Sequence, residues 1–435
     1  MINSRWTDGP LRVILVGAGH RTLRYAEFAQ QSPDAMQVVG VVDPDPIRRE
    51  HAAALFSLGP DQQWNQVEEL PAEPAAHAAI NGTMDALHVT TTKPLIDRGL
   101  DVLLEKPIAL DAASLLDLQR YAVAAGRRVL ICHVLRHAPF YRALRERVAA
   151  GEIGDVLTIQ MSEQVAYDHM ATAFVRGKWA NSEQSGSSIL LAKCCHDLDL
   201  MSWFMAPARP VRATSAGGLS HFRPENAPAG AGTRCLTDCA IERDCAYSAR
   251  RIGITLDRWE FYLWESIEDQ TLHPTREQKE ASLSGDNPYG RCVWHSDNDV
   301  ADHQTAVVEF DNGATASLTL TGTASRGSRT IHIVGTRGEL QGTMEDNAFT
   351  VRTFDADPTV HHRVTEVTLE TDTDFHGGGD LRLVADFVAV LRGEQPSLST
   401  TELAASVDGH LAGFAAEQGR LDGRWVELAD LRAAV

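Results

Sequence analysis

The sequence predicts an α/β domain built on a doubly wound parallel sheet, followed by an α+β domain with a mixed sheet and helices on one face. Three observations carry this. Apolar β runs alternate with helical stretches over the first 135 residues, the pattern of parallel strands joined by helical crossovers. Beyond Pro139 that rhythm stops and β patterning dominates. A chain of 435 residues also exceeds what one hydrophobic core usually serves. The boundary is placed between residues 135 and 136, giving domains 1–135 and 136–435.

In order, Leu11 to Val16 is an apolar strand, residues 21–31 a helix, and Gln37 to Val42 a second strand ending at Asp43. Residues 51–70 read as a helix and a connection around Trp64. Ala75 to Asn81 is a buried strand, followed by Thr83-Met84-Asp85 and a helix through Arg98. Asp101 to Glu105 is the next strand, Leu110 to Ala125 a helix, and Arg128 to His133 a strand. After the helix Phe140 to Ala150, strands are expected at Val156–Gln164, Thr305–Phe310, Ala314–Thr321 and Thr330–Val334. Asp311-Asn312-Gly313 supplies residue types that tolerate the positive φ of a hairpin turn. Helices are expected at Ile189–Met205, 380–392 and 402–418, and residues 217–300 read as an irregular insertion.

Composition narrows the function classes. Hydrophobic residues make up 43% and charged residues 23%, as in globular proteins. A net charge of −19 argues against a nucleic-acid partner, which calls for a basic face. No apolar run is long enough to span a bilayer, and Met1 to Pro10 lacks a signal-peptide core. Seven cysteines, an odd number, fit a reducing cytoplasm better than a disulfide framework.

The chemistry collects at strand ends. Gly17 and Gly19 after the first strand supply a tight turn and close approach to a pyrophosphate at a helix N-terminus, although the third glycine position carries Thr22. Asp43, ending the second strand, can accept hydrogen bonds from an adenosine ribose and would repel a 2′-phosphate, so NAD is expected over NADP. The same Asp could instead cap a turn before Pro44. Lys106, where Leu103-Leu104-Glu105-Lys106-Pro107 leaves its strand, should point into the crevice where open α/β sheets bind ligands.

These residues, together with Thr83-Met84-Asp85-Ala86-Leu87-His88, Arg136-His137-Ala138-Pro139, Gly151-Glu152-Ile153-Gly154 and His196-Asp197-Leu198-Asp199, resemble in kind and order the glucose–fructose oxidoreductase and inositol dehydrogenase (Gfo/Idh/MocA) superfamily. The resemblance implies an NAD(P)-binding Rossmann domain, an open-faced sheet domain, homodimers or homotetramers, and hydride transfer at a ring carbinol of a sugar or cyclitol. It places Thr83 and His88 near the cofactor, Glu105 and Lys106 near the nicotinamide, and His196 at the reacting hydroxyl. Gly17, Gly19, His20, Arg21 and Asp43 complete the expected cofactor set.

Alcohol oxidation by NAD needs a base, for which His196 suits neutral pH, and an electrostatic brace for alkoxide charge, for which Lys106 suits. Sugar dehydrogenases of this kind often carry an Asp four residues before the histidine; here that position is Ala192, with Lys193 beside it. On one continuous helix Lys193 and His196 share a face. Lys193 is therefore a third catalytic candidate, able to tune His196 or to grip a carboxylate or sulfonate, or else it pairs with a buried Asp. Arg136, Tyr167, His169, Arg176, Trp179, Asp197, His303 and His376 are the remaining substrate candidates, suited as a group to a polyhydroxylated ligand.

Cys235, Cys239, Cys245 and Cys292 lie in the insertion and form a candidate structural zinc site, since a loop-rich segment cannot hold itself by burial alone. Free thiols are the alternative. Within the enzyme reading, a dehydrogenase competes with a redox-neutral NAD-dependent glycosidase that oxidises, eliminates, adds water and re-reduces, on a substrate such as a sulfoquinovoside. A sensor of NAD or sugar is the non-enzyme reading, opposed by the presence of both Lys106 and His196.

Overall fold

The computed structural model describes residues 9–264, 267, 273–370 and 375–433. Six strands form a parallel sheet in the order β3-β2-β1-β4-β5-β6: β1 (Leu11–Val16), β2 (Met36–Val42), β3 (Gln63–Trp64), β4 (Ala78–Asn81), β5 (Asp101–Leu104) and β6 (Val129–Ile131). Helices His20–Gln31, Pro46–Phe56, His88–Asp97 and Ala112–Ala125 join them, giving the expected doubly wound arrangement. The second of these begins earlier than residue 51. Asp45 caps it, accepting from the N–H groups of Ile47 at 2.9 Å and Arg48 at 3.4 Å, and Pro46 takes the first helical position. Both are ordinary helix-start signals.

The second sheet has nine strands: β7 (Val156–Ala166), β8 (Pro210–Gly218), β9 (His303–Phe310), β10 (Thr315–Ala324), β11 (Ser328–Gly335), β12 (Gly338–Thr343), β13 (Ala348–Phe354), β14 (His362–Thr368) and β15 (Val426–Glu427), ordered β14-β13-β12-β11-β7-β10-β9-β8-β15. It is mixed because β7 and β10 run parallel while their neighbours are antiparallel. The β9–β10 hairpin turns where expected, with Gly313 at φ +82°. Helix Leu403–Asp422 packs on β8 and on helix Cys195–Met205. The other face carries Gln160, Ser162, Thr319, Thr330 and His332 along an open depression. Sequence reading missed β8, β12, β13, β14 and β15. In β14 exposure removes the alternation, since His362 to Glu366 are all exposed.

The expected single helix Ile189–Met205 is two, Ile189–Ala192 and Cys195–Met205, broken at Lys193-Cys194. Helix Gly379–Leu391, far beyond residue 135, buries Leu383, Val384 and Phe387 in the same core as Leu11, Val13, Leu15 and Leu103 of the parallel sheet. The distant end of the chain thus covers one face of the first domain.

The described residues do not support the expected zinc site of the insertion. Among the described residues no group of three or more His, Cys, Asp or Glu is placed to hold an ion, and Cys235, Cys239, Cys245 and Cys292 are free thiols. The buried guanidinium of Arg176 does the cross-linking. It donates to the carbonyls of Arg291 at 2.6 Å and Tyr247 at 2.7 Å, and its Nη2 lies 3.6 Å from Cys235 Sγ. Burial pushes the Cys245 and Cys292 thiols up, toward the protonated form that binds metal poorly. Among the described residues no helix is long and apolar enough to cross a membrane.

Candidate active site

The C-terminal ends of β1, β4 and β5 open on a cleft of about 480 Å³, lined on one side by the parallel-sheet loops and on the other by the second domain. Gly17 sits at φ +78°, and a Cβ there would meet Thr83 N at 2.9 Å, so only glycine fits this turn. A Cβ on Gly19 would meet nothing within 4 Å; the backbone is bare toward the cleft at the start of helix His20–Gln31. That cradle fits a dinucleotide pyrophosphate at a helix N-terminus. The missing third glycine is compensated across the turn: a Cβ on Gly82 would lie 2.2 Å from Thr22 Oγ1. Thr22 takes the space, and Gly82 yields it.

Asp43 is buried at the far end of the cleft. Its Oδ2 accepts from Ala18 N at 2.6 Å and its Oδ1 from Asp45 N at 2.8 Å. It therefore braces the glycine loop and the turn before Pro44 together, and each oxygen keeps a lone pair for a ribose hydroxyl. Arg48 and His51 lie alongside. NAD fits this donor set, and when bound it supplies the hydride acceptor. His20, Arg21, Thr83, Glu105 and Lys106 also line the cleft. His88 does not. It is buried, its nitrogens within 2.6 Å of Pro107 O and 3.0 Å of Thr83 O, and so ties two cofactor-side loops together from behind.

At the inner end Glu105 Oε1 accepts from Arg21 Nε at 3.0 Å and from Tyr25 Oη at 2.6 Å, while Oε2 accepts from Lys106 N at 2.8 Å. Burial alone would raise the Glu105 pKa, but Arg21 and Lys106 outweigh it and hold the carboxyl at about 2. Lys106 Nζ donates to Ala192 O at 3.1 Å, which brings the ammonium to the break before the His196 helix. Burial opposes its charge, yet Cys195, Glu105 and Asp85 raise its pKa. His196 is the reverse: burial first, then Lys106, His133, His376 and Arg329, hold its pKa well below 6.5. Its Nδ1 is buried without a hydrogen-bond partner.

Lys193 also lines the cleft, although the helix break removes the shared-face argument for it. Its Nζ lies 3.4 Å from Glu163 Oε1 of β7, and its charge also reaches the buried Asp197. At His169 the lysine's field is second only to burial in lowering the pKa; the largest electrostatic effect at His196 is that of Lys106.

Of the other substrate candidates, His169, Trp179 and His376 reach the cleft. Arg136 is buried in a two-pronged pair with Asp199 at 2.7 and 2.6 Å. Asp197 is buried against Arg329 at 3.2 Å, Tyr167 packs on Tyr247, Arg176 serves the insertion, and His303 is exposed beside Asp302. Sequence reading missed Arg329, Phe174, Phe261, Tyr262 and His273, which also line it, as does Lys178 beside Trp179. Phe261 and Tyr262 come from the irregular insertion, whose only signal was its aromatic density. Trp179 Nε1 donates to Asp85 at 3.0 Å, and Phe261 of the insertion lies 4.4 Å from His20 between ring centroids, so the second domain and its insertion both meet the parallel-sheet side across the cleft.

Comparison with known proteins agrees with this geometry. Residues 11–133 match the family described as oxidoreductase family, NAD-binding Rossmann fold (GFO_IDH_MocA), and residues 145–408 match its C-terminal alpha/beta domain. The chain is 24% identical over 372 residues to YteT of Bacillus subtilis, covering 80% of this chain and 81% of that one. It is 30% identical over 191 residues to inositol 2-dehydrogenase 4 of Saccharopolyspora erythraea, covering 40% and 55%. Among solved structures, an oxidoreductase domain protein from Kribbella flavida shares the fold at a TM-score of 0.70, with 16% identity and coverage of 97% and 100%. The WlbA dehydrogenase of Bordetella pertussis, solved with NADH and UDP-GlcNAcA, superposes at 0.64, with 15% identity and coverage of 97% and 99%.

The Asp43 geometry predicts tighter binding of NAD than of NADP. Asp43→Ala should weaken NAD about ten- to a hundredfold, as loss of charge-assisted hydrogen bonds does, and narrow the preference. Calorimetric titration with both dinucleotides measures this; equal affinities in the unaltered protein would contradict it.

Proposed function

We propose, for a chain that belongs to the Gfo/Idh/MocA oxidoreductase family and is an NAD-dependent enzyme, that it oxidises a ring carbinol of a sugar, cyclitol or glycoside. The observation that carries the reading is the meeting of Lys106 and His196 on one cleft continuous with the glycine loop. A permanent ammonium beside the hydroxyl oxygen stabilises developing alkoxide charge, and a neutral imidazole hydrogen-bonds or takes the proton. Relatives named inositol 2-dehydrogenase and 1,5-anhydro-D-fructose reductase support a cyclic polyol as the substrate class. The sensor reading is set aside with the enzyme class established.

The redox-neutral glycosidase is a second reading, favoured by one observation. His169, His196 and His376 all face the cleft, and burial lowers the pKa of each. Oxidation alone needs one base, whereas elimination and water addition need more. The aromatic wall of Phe174, Trp179, Phe261 and Tyr262 suits an aglycone. Free thiols suit a reducing cytoplasm, and the same reading makes the enzyme a homodimer or homotetramer joined through the open face of the nine-stranded sheet.

The deciding experiment incubates enzyme and NAD with myo-inositol, aldohexoses, D-glucuronate and p-nitrophenyl glycosides, following NADH and nitrophenol together. Stoichiometric NADH without cleavage supports the dehydrogenase; cleavage needing only catalytic NAD, with solvent deuterium entering the sugar, supports the glycosidase. Lys106→Ala and His196→Ala should each lower turnover by roughly two to four orders of magnitude, with NAD affinity changed far less. Because the His196 pKa is lowered and the Lys106 pKa raised, neutral imidazole with charged ammonium persists across neutral pH. The rate should fall only well below pH 6.5 and above pH 10.5; a limb near pH 7 in kcat/KM would contradict the assignment.

Lys193→Ala separates two roles. If the ammonium grips an anionic substituent, KM rises for uronates or sulfonates and not for neutral sugars. If it tunes a histidine, the pH–rate profile moves for every substrate.

A further inference from the structure

His376 has the only positive φ among the described non-glycine residues of the cleft. It sits at +54°, followed by Gly377 at +59° and Gly378 at +75°. Glycine would adopt that conformation without steric cost, so the side chain needs another reason to be there. Strain of this kind at a ligand cleft points from geometry toward function.

The imidazole has a defined orientation. Its Nδ1 lies 3.2 Å from Oδ1 and 3.4 Å from Oδ2 of Asp380, a fully buried carboxylate in the first turn of helix Gly379–Leu391. Asp380 Oδ1 also accepts from Arg21 Nη2 at 2.7 Å, and Asp380 is held strongly ionised: burial opposes this, but His376 and Arg21 overcome it. An ionised carboxylate only accepts hydrogen bonds, so Nδ1 carries the proton and Nε2 keeps its lone pair. His196 has no such partner: its Nδ1 is unpaired, and the residue four before it is Ala192. The two rings stand 5.8 Å apart between centroids. That separation lets a single hydroxyl oxygen lie about 2.8 Å from one nitrogen of each.

We propose that His376, oriented by Asp380, is the base that receives the hydroxyl proton, and that His196 holds that hydroxyl in place. The carboxylate absent from the turn before His196 is supplied from the far end of the chain to a different histidine. The proposal rests on the ring-carbinol reading above. In the step, the carbinol C–H bond breaks and its electron pair leaves as hydride for the nicotinamide ring. The O–H electron pair becomes the second bond of the carbonyl, and the proton goes to His376 Nε2, where Asp380 balances its charge. The substrate loses two electrons and the dinucleotide gains them.

Two measurements test this. In histidine-¹⁵N-labelled enzyme bound to NADH, without substrate, the His376 signal (assigned by its absence in His376→Gly) should show Nδ1 protonated and Nε2 bare. Asp380→Asn should remove that bias. In turnover with myo-inositol, D-glucuronate or p-nitrophenyl β-D-glucoside, His376→Gly should lower kcat by roughly 10²- to 10⁴-fold with NADH affinity unchanged, and added imidazole should restore rate. Glycine suits this φ, so a merely structural residue would tolerate the change. A His376→Gly enzyme within threefold of the unaltered rate, a loss that imidazole does not rescue, or a protonated Nε2 would each overturn the proposal and leave the ring-carbinol reading standing. Unaltered enzyme that with none of these probes reduces NAD, releases nitrophenol or exchanges solvent deuterium into the sugar would remove both.

Discussion

The structure depends on satisfying one cation. Arg21, in the first turn of the helix after the glycine loop, meets Tyr25 Oη at 2.6 Å, Glu105 at 3.0 Å and Asp380 at 2.7 Å. These partners come from its own helix, from the end of β5 and from a helix 359 positions later in the chain. A largely enclosed guanidinium that lost one partner would leave the others charged and uncompensated, which is costly in a low-dielectric site. Glu105, locked by this demand, holds the backbone of Lys106. Asp380, locked by it, orients His376. The cofactor side and the chemical side of the cleft are therefore set by the same group.

Two departures from the sequence pattern of the family are answered elsewhere in the fold. Thr22 occupies the third glycine position, and Gly82 gives up the space that a Cβ would need. Ala192 stands where a carboxylate is common, and an ionised Asp380 stands beside a neighbouring histidine. Each exchange keeps a physical requirement while moving the residue that meets it. In the first it is close packing of helix and strand; in the second, a polarised imidazole.

What the sequence made legible follows from which signals are local. The alternation of strands and helices, the bare Gly19, the turn at Gly313 and the strand-end position of Lys106 are all encoded within a few residues. Contacts made over hundreds of positions are not. Nothing in the residues around Asp380 names Arg21, and nothing near Arg329 says that it enters the cleft from β11. The polar strand β14 hides because its exposure removes the period of two. Cys235, Cys239 and Cys245 suggested ligands by proximity in sequence, with Cys292 from another segment, whereas the fold sets the Arg176 guanidinium 3.6 Å from Cys235 Sγ. Asp197 read as a substrate contact because it flanks His196, and Arg136 because it lies in a family-like motif, yet each is consumed by a buried ion pair.

Energetic coupling by Arg21 of helix His20–Gln31 to helix Gly379–Leu391 is tested most directly by a double-mutant cycle. Arg21→Met, Asp380→Asn and the pair would be compared by urea unfolding, with NADH affinity recorded for each. A coupling energy of about 1–3 kcal/mol is expected, within the range found for groups in one buried network. NADH binding should also weaken in Asp380→Asn, although Asp380 does not line the cleft. Additivity of the two substitutions to within about 0.5 kcal/mol, with NADH affinity unchanged in Asp380→Asn, would contradict the coupling.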